Sequence, residues 1–406
     1  MIRYVLMAWL ATLASPALAA DIQPGDWRLV IKTEIGDLPF NLHLDRDSAG
    51  WHAAFINGVD KAQAEAVTVA GDKLTVTFPS FGTRIEATLG ANGAVTGTAR
   101  YERAEGQVTI PFTGKAGESY RFFPKPAAGS TSANGRWAVT EPDGDAIRRG
   151  VGEFKQTGAV VNGSVIFMNA DTRFLSGEMH GDDLYLATFD GGQGSLWVGH
   201  FADGKIVGKT YSLVSRTVTP FEAKLDANAQ IDDPSKLTYL KPGYDKFAFK
   251  FPNLEGKQVS LDDPAYKGKV VIVTIAGSWC STCHDETAYL SPYYKANRKR
   301  GVEVIGLMYE YSPEFPKAVS ACKNFQKRYD IAWDMLIAGI SDKTAAGRTL
   351  PMINAVLAYP TMIVVDKKGK VRRIHTSFPR PATGARHEEF KREFESFMDQ
   401  LLAEPA

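Results

Sequence analysis

Apolar and polar residues alternate with a period of two through the first half of the chain. From Asp21 to about Leu225 the apolar positions fall in short segments, such as Leu74, Thr75, Val76, Thr77, Phe78 and Leu184, Tyr185, Leu186, Ala187, separated by Gly, Asp and Asn. Strict alternation sends one face of a strand inward and the other to water, so this region is expected to be antiparallel and all-β. Landmarks also recur in register. Gly25 and Trp27 return as Gly135 and Trp137, Phe55 and Ile56 as Val165 and Ile166, Gly71, Asp72 and Leu74 as Gly181, Asp182 and Leu184, and Gly93 and Gly97 as Gly204 and Gly208, at an offset of 110 to 111 residues. A constant offset predicts two repeated β modules, residues 21–122 and 133–225, with the Pro/Gly/Ser stretch from Pro124 to Asn134 as their linker.

After a polar connector at residues 226–245 the pattern changes. The run Val270, Val271, Ile272, Val273, Thr274, Ile275 is unbroken, which predicts a strand buried on both faces, and a helix-compatible segment follows from about Cys280 to Arg300. Further strands are expected at Val302–Met308, 333–337, Met362–Val365 and Val371–His375, with helices near 316–329 and 385–402. Strand and helix alternate first; a hairpin through Asp366 to Gly369 and a closing helix come after. That order predicts an α/β domain over residues 246–406, with Ala338–Tyr359 inserted before the hairpin and 343–348 helical within it. The fold class is therefore multidomain, β modules followed by an α/β domain.

Composition changes this picture little. With 406 residues, 44% hydrophobic and 23% charged, the chain suits two or three soluble domains with full cores. The formal net charge of +1 conceals −6 over residues 21–236 and +6 over residues 237–406, too little in either half to point to nucleic acid. Residues 1–20 read as a secretory signal peptide: Arg3, an apolar stretch through Leu13, then Ala17, Leu18, Ala19 as a cleavage pattern. The apolar stretch is well short of the ~20 residues a membrane span needs, so a periplasmic or secreted protein without a stable membrane span is expected.

Export makes the cysteines informative, because oxidising compartments normally pair them. Cys280 and Cys283 stand three apart where the buried strand passes into a helix, too close for a typical structural staple. The first turn of a helix offers unpaired N–H groups and a partial positive charge, which can lower a thiol pKa from about 8.5 to roughly 3.5–7.5. Cys280 is thus the expected nucleophile, and Cys283, on the same helix face, the resolving thiol. Cys322 lies on the stripe Ala318, Cys322, Phe325, Tyr329 and is expected to be a buried, inert thiol. His43, His52, His180 and His200 are scattered without metal-ligand spacing, and Trp27, Trp51, Trp137 and Trp197 read as packing residues.

Trp279, Cys280, Cys283 and Glu286, the upstream segment Phe251 to Leu261, and Tyr359, Pro360, Thr361 together resemble a TlpA-like thiol-disulfide oxidoreductase of the thioredoxin superfamily, over roughly residues 240–403. The resemblance implies a thioredoxin-like fold and an enzyme that reduces protein disulfides through a mixed disulfide on Cys280, with no cofactor and no metal. Its partners would be a protein thiol or disulfide client and a second redox protein that exchanges electrons with it. It implies a cis Pro360 that leaves Tyr359 and Thr361 free to pair with an extended client strand, and a Glu286 that handles the resolving thiol's proton. Trp279 would flank the disulfide and contact a partner. Asp285 is then the solvent-facing acid, and His284, if charged, would favour the nearby thiolate. Ala288 stands where relatives carry proline, which implies a straighter helix.

Two different classes compete. Cys280, Ser281, Thr282, Cys283, His284 also spells the C-x-x-C-H attachment site of a c-type haem, with His284 as axial ligand. Alternatively the β region is a binding module and the thiol domain only a redox sensor. A peroxiredoxin-like peroxidase shares the segment Phe251 to Lys257 but needs Thr where this chain has Gly277.

Overall fold

The computed structural model describes residues 21–406; the signal-like segment 1–20 lies outside the described residues. Nine antiparallel strands between Gly25 and Ala116 form the first sheet, whose last strand, Gly106–Ala116, returns to pair with the first, Gly25–Thr33. A second sheet runs from Gly135 to Leu225. There Thr217–Leu225 returns to Gly135–Asp143, and Val160–Phe167 also pairs with Leu175–Gly181, which closes the sheet on itself. The linker contributes Ala127–Ala128 as an edge strand parallel to His180–Gly181.

Alternation accounts for the burial. Lys73–Phe78 sends Leu74, Val76 and Phe78 into the core and its other three residues outward. Asp183–Phe189 departs from that rule at its end, burying Ala187, Thr188 and Phe189 in succession, because the first unit covers its second face. Phe189 packs on Phe40 and Phe55, and the Asn57 side chain both donates to the Phe189 carbonyl and accepts from its N–H, each at 2.9 Å. The two β units share a core.

In the C-terminal domain Val270–Ala276 (β1) is buried at every position, as a central parallel strand must be. Val302–Glu310 (β2) and Asp334–Ile340 (β3) run parallel to it, Thr361–Val365 (β4) and Val371–Thr376 (β5) antiparallel, in the order β3-β2-β1-β4-β5. Helices Ser281–Asn297 (α1), Phe315–Tyr329 (α2) and Ala385–Ala403 (α4) pack around this thioredoxin-like sheet, and Lys343–Thr349 (α3) follows β3. The segment read as an insertion from Ala338 instead begins as the last three residues of β3. α1 carries its proline at Pro292, so the Ala288 carbonyl loses its usual helical donor. Among the described residues no helix is long and apolar enough to cross a membrane.

The C-terminal domain is keyed to both β units by ion pairs. Arg380 donates to Asp285 at 2.6 Å and pairs with Asp171 at 3.4 Å; Arg173 pairs with Asp190 at 2.9 Å and Asp60 at 3.4 Å and approaches Asp285 at 3.9 Å. Asp285 therefore does not face solvent as expected. Helical position alone shows its side of α1 as free, but Arg173 of the second β unit and Arg380 lie over it.

Candidate active site

Between β1 and α1 the chain turns through Gly277, Ser278 and Trp279, and Cys280 becomes the N-cap of α1. A Cβ at position 277 would lie 2.3 Å from Trp279 Nε1 and 2.8 Å from the Tyr309 carbonyl. Glycine is therefore needed for Trp279 Nε1–H to donate to Tyr309 O at 2.7 Å, and the threonine of a peroxidase has no room. The Trp279 ring stacks on Tyr311 and meets Tyr359 edge-on.

The Cys280 sulfur accepts the Cys283 N–H at 3.2 Å, the orphan donor of a helix start, and its thiol donates to the Tyr359 carbonyl at 3.3 Å. The Tyr359–Pro360 peptide is cis and brings that carbonyl to the sulfur. Thr361, fully buried, donates to the Ala358 carbonyl at 2.9 Å within the same loop. Both cysteines are free thiols, Cys280 5% exposed and Cys283 wholly covered. Burial, then the hydrogen bond and charge of Cys280, push the Cys283 thiol well above its ordinary range. Glu286 sits one turn on, 1% exposed, with Oε1 lacking any hydrogen-bond partner among the described residues. Burial first and the Cys280 charge second hold its carboxyl well above the usual carboxylate range.

His284 overturns one expectation. Its Nε2 is 2.6 Å from the Ser278 carbonyl and its Nδ1 2.9 Å from the Tyr329 hydroxyl, so Nε2–H donates and Nδ1 accepts. Burial, then Arg328, push the imidazole well below its ordinary pKa. The ring is neutral and supplies no positive charge to the thiolate; the C-x-x-C-H spacing shows the histidine but not the residues that bury it. With both nitrogens engaged it is also not free to ligate haem.

Several site residues escaped sequence reasoning. Glu310 accepts from Ser278 N at 2.8 Å and Ser278 Oγ at 2.6 Å, and Cys322 donates to it at 3.5 Å, so the third thiol is buried yet bonded to the carboxyl that braces the active-site turn. A lone carboxylate ending the apolar strand β2, beside the C-terminal end of β1 where sites form in such sheets, was the available signal. Phe81, Glu102 and Arg103 of the first β unit had none. They face Trp279, Glu310 and Tyr311 across a cleft of about 540 Å³.

A redox-ready dithiol at a helix start, beside a cis proline on a thioredoxin-like sheet, defines a thiol-disulfide exchange domain. A family model described as Redoxin matches residues 241–387. The chain is 33% identical over 137 residues to "Thiol-disulfide oxidoreductase ResA" of Bacillus cereus (strain ATCC 10987 / NRS 248), covering 34% of this chain and 70% of the relative. To the protein of the same name from Bacillus thuringiensis subsp. konkukian it is 34% identical, over 30% of this chain and 62% of the relative. A crystal structure of a thiol:disulfide interchange protein of the thioredoxin family from Chlorobium tepidum TLS aligns at 20% identity and a TM-score of 0.30, covering 39% of this chain and 96% of that one. The chain belongs, through its C-terminal domain, to the ResA-like thiol-disulfide oxidoreductases.

Proposed function

We propose that the protein is an exported reductase of protein disulfides. The observation that carries this is the Cys280 sulfur at the helix N-cap, between the Cys283 N–H and the Tyr359 carbonyl. The Cys280 thiolate attacks a client disulfide, one client sulfur leaves as a thiol after taking a proton, and a mixed disulfide remains. Cys283 then loses its proton and attacks Cys280, which releases the second client thiol and leaves a Cys280–Cys283 disulfide for a redox partner to reduce. Tyr359 offers backbone to an extended client segment and Trp279 flanks it. Thr361, wholly buried and paired with Ile275 and Thr376, and Pro360, whose carbonyl accepts from the Ser377 N–H, instead hold the loop from within. Export rests on the signal-like pattern of residues 1–20.

The neutral His284 supports the reductant direction of electron flow. Oxidants of this fold owe their potential to a stabilised reduced form. Here the first-turn histidine is neutral, so it lends the thiolate no such support. Titration of the mature protein in a graded glutathione buffer should give a reversible two-electron transition near about −270 mV; a value near about −120 mV would reverse the direction. Absence of any transition would remove the exchange reading.

Glu286 has the proton-handling role. The Cys280 charge that helps keep it protonated disappears in the mixed disulfide, so the carboxyl moves toward its ionised form when Cys283 needs a base. Glu286→Gln is expected to slow resolution by roughly 10²-fold. Stability should change oppositely. A carboxyl raised in the folded state contributes stability that is complete below its unfolded pKa near 4.5 and is lost as pH rises through the folded value. Relative to wild type the Gln variant is thus unchanged in acid and gains stability toward neutral pH, which urea unfolding across pH would show.

The same reading takes residues 21–122 and 133–225 as a repeated β module, 226–245 as connector and 246–406 as redox domain. Corresponding strands support it: Gly25–Thr33 with Gly135–Asp143, and Lys73–Phe78 with Asp183–Phe189, keep the 110-residue offset.

A further inference from the structure

His284 is covered by a residue from another unit. Its ring lies face to face on Phe81, centroids 3.8 Å apart and planes 13° from parallel, while Phe325 and Tyr329 of α2 meet it edge-on. Phe81 occupies the turn between strands Lys73–Phe78 and Thr83–Leu89 of the first β unit. α2 grips that turn. Asn324 donates to the Pro79 carbonyl at 3.3 Å, and Arg328 donates to Glu65 at 2.5 Å and to Ser80 Oγ at 3.2 Å. Ser80 in turn donates to Glu65 through its hydroxyl and N–H. From behind, Gly192 of the second unit leaves room for the Phe81 ring, since a Cβ there would lie 2.7 Å from it.

We propose that the first β unit completes the redox site: Phe81, held by Glu65, Asn324 and Arg328, is a positioning residue that keeps water from His284 and fixes the imidazole as the brace of the Ser278–Cys280 turn. The geometry of this cover is independent of the reductase reading; only its effect on the direction of exchange rests on it. The charged groups that act on His284 are Arg328 on α2, Arg173 of the second unit and Arg380, and Asp285 and Glu65 act on the Tyr329 hydroxyl bonded to its Nδ1. Burial disfavours an imidazolium most, and the three arginines add to it. Removing Phe81 hydrates the ring and takes away the largest of these causes. A histidine that can then charge in the first turn favours the Cys280 thiolate, stabilises the reduced pair and makes it more oxidising.

The test uses full-length Phe81→Ala and Phe81→Leu, with His284 titrated by NMR and Cys280 alkylation followed against pH. In Phe81→Ala the imidazole should titrate closer to its ordinary range. Alkylation at about pH 6 should rise roughly tenfold, the change that one unit in thiol pKa gives. Phe81→Leu, which keeps an apolar cover, should retain most of the wild-type titration. An unchanged His284 and unchanged alkylation in folded Phe81→Ala would overturn the proposal. Should that variant not fold, Phe81→Val must show a smaller shift in the same direction, and no shift there is equally fatal. A shifted His284 in a protein that exchanges no disulfide would support the cover and sink the reductase function instead.

Discussion

Replacing Cys280 with Ser should reduce disulfide exchange to the uncatalysed background. The N-cap position supplies an N–H at 3.2 Å to a sulfur that must carry charge, and a hydroxyl there is not ionised at neutral pH. Cys283→Ser should behave differently, because the first attack survives and the second does not. Incubated with a disulfide-bearing client, it should accumulate a covalent adduct on Cys280, seen as a band removed by reductant on a gel. If the adduct forms on Cys283 in the Cys280 variant, the roles are reversed. The burial that keeps the Cys283 thiol protonated makes that exchange of roles the less favourable chemistry.

The second large effect is structural. Arg380→Ala should destabilise the protein by about 3–5 kcal/mol, the usual cost of stranding a buried partner charge. Arg380 is 2% exposed and serves Asp171 and Asp285, which belong to different units. Its loss leaves two carboxylates covered, with Arg173 alone nearby. The deficit should depend on pH. Burial already raises the Asp171 carboxyl above its ordinary 3.8, and removing the arginine that lowers it raises it further. A group raised in the folded state stabilises most in acid, so the deficit should shrink as pH falls from neutral to about 5. Urea midpoints at the two pH values check this, and Asp285→Asn in the Arg380→Ala background should restore part of the loss. A variant as stable as wild type would show that the junction carries no energy. Since Asp285 lies on α1 between the resolving cysteine and Glu286, loosening the junction should also slow exchange.

Much of the C-terminal domain could be read from local pattern. The unbroken run from Val270 predicted a strand buried on both faces, and the structure buries all of it. The stripe Ala318, Cys322, Phe325 faces the core as helical spacing requires. Boundaries were less legible where the chain has no punctuation, as at β3, which continues through Ile340. At the site, Cys280 and Cys283 were visible because their chemistry depends on spacing and on one turn of backbone, whereas the proline loop was visible only through the family resemblance. His284 and Asp285 were misread because their states depend on residues from other elements, Phe81, Arg328 and Tyr329 for the first and Arg173 and Arg380 for the second.

The sequence by itself determined the element order of the redox domain, the alternating strands of the first half and the dithiol at a helix start. These are short-range consequences of periodicity, turn chemistry and the unpaired N–H groups of a first helical turn. Only the tertiary structure decided which side chains surround that dithiol. It placed Phe81 on His284, Arg380 on Asp285 and Glu310 under Ser278. Charge state inside a protein is set by burial and by neighbours within a few ångströms, and neither is a property of a linear pattern.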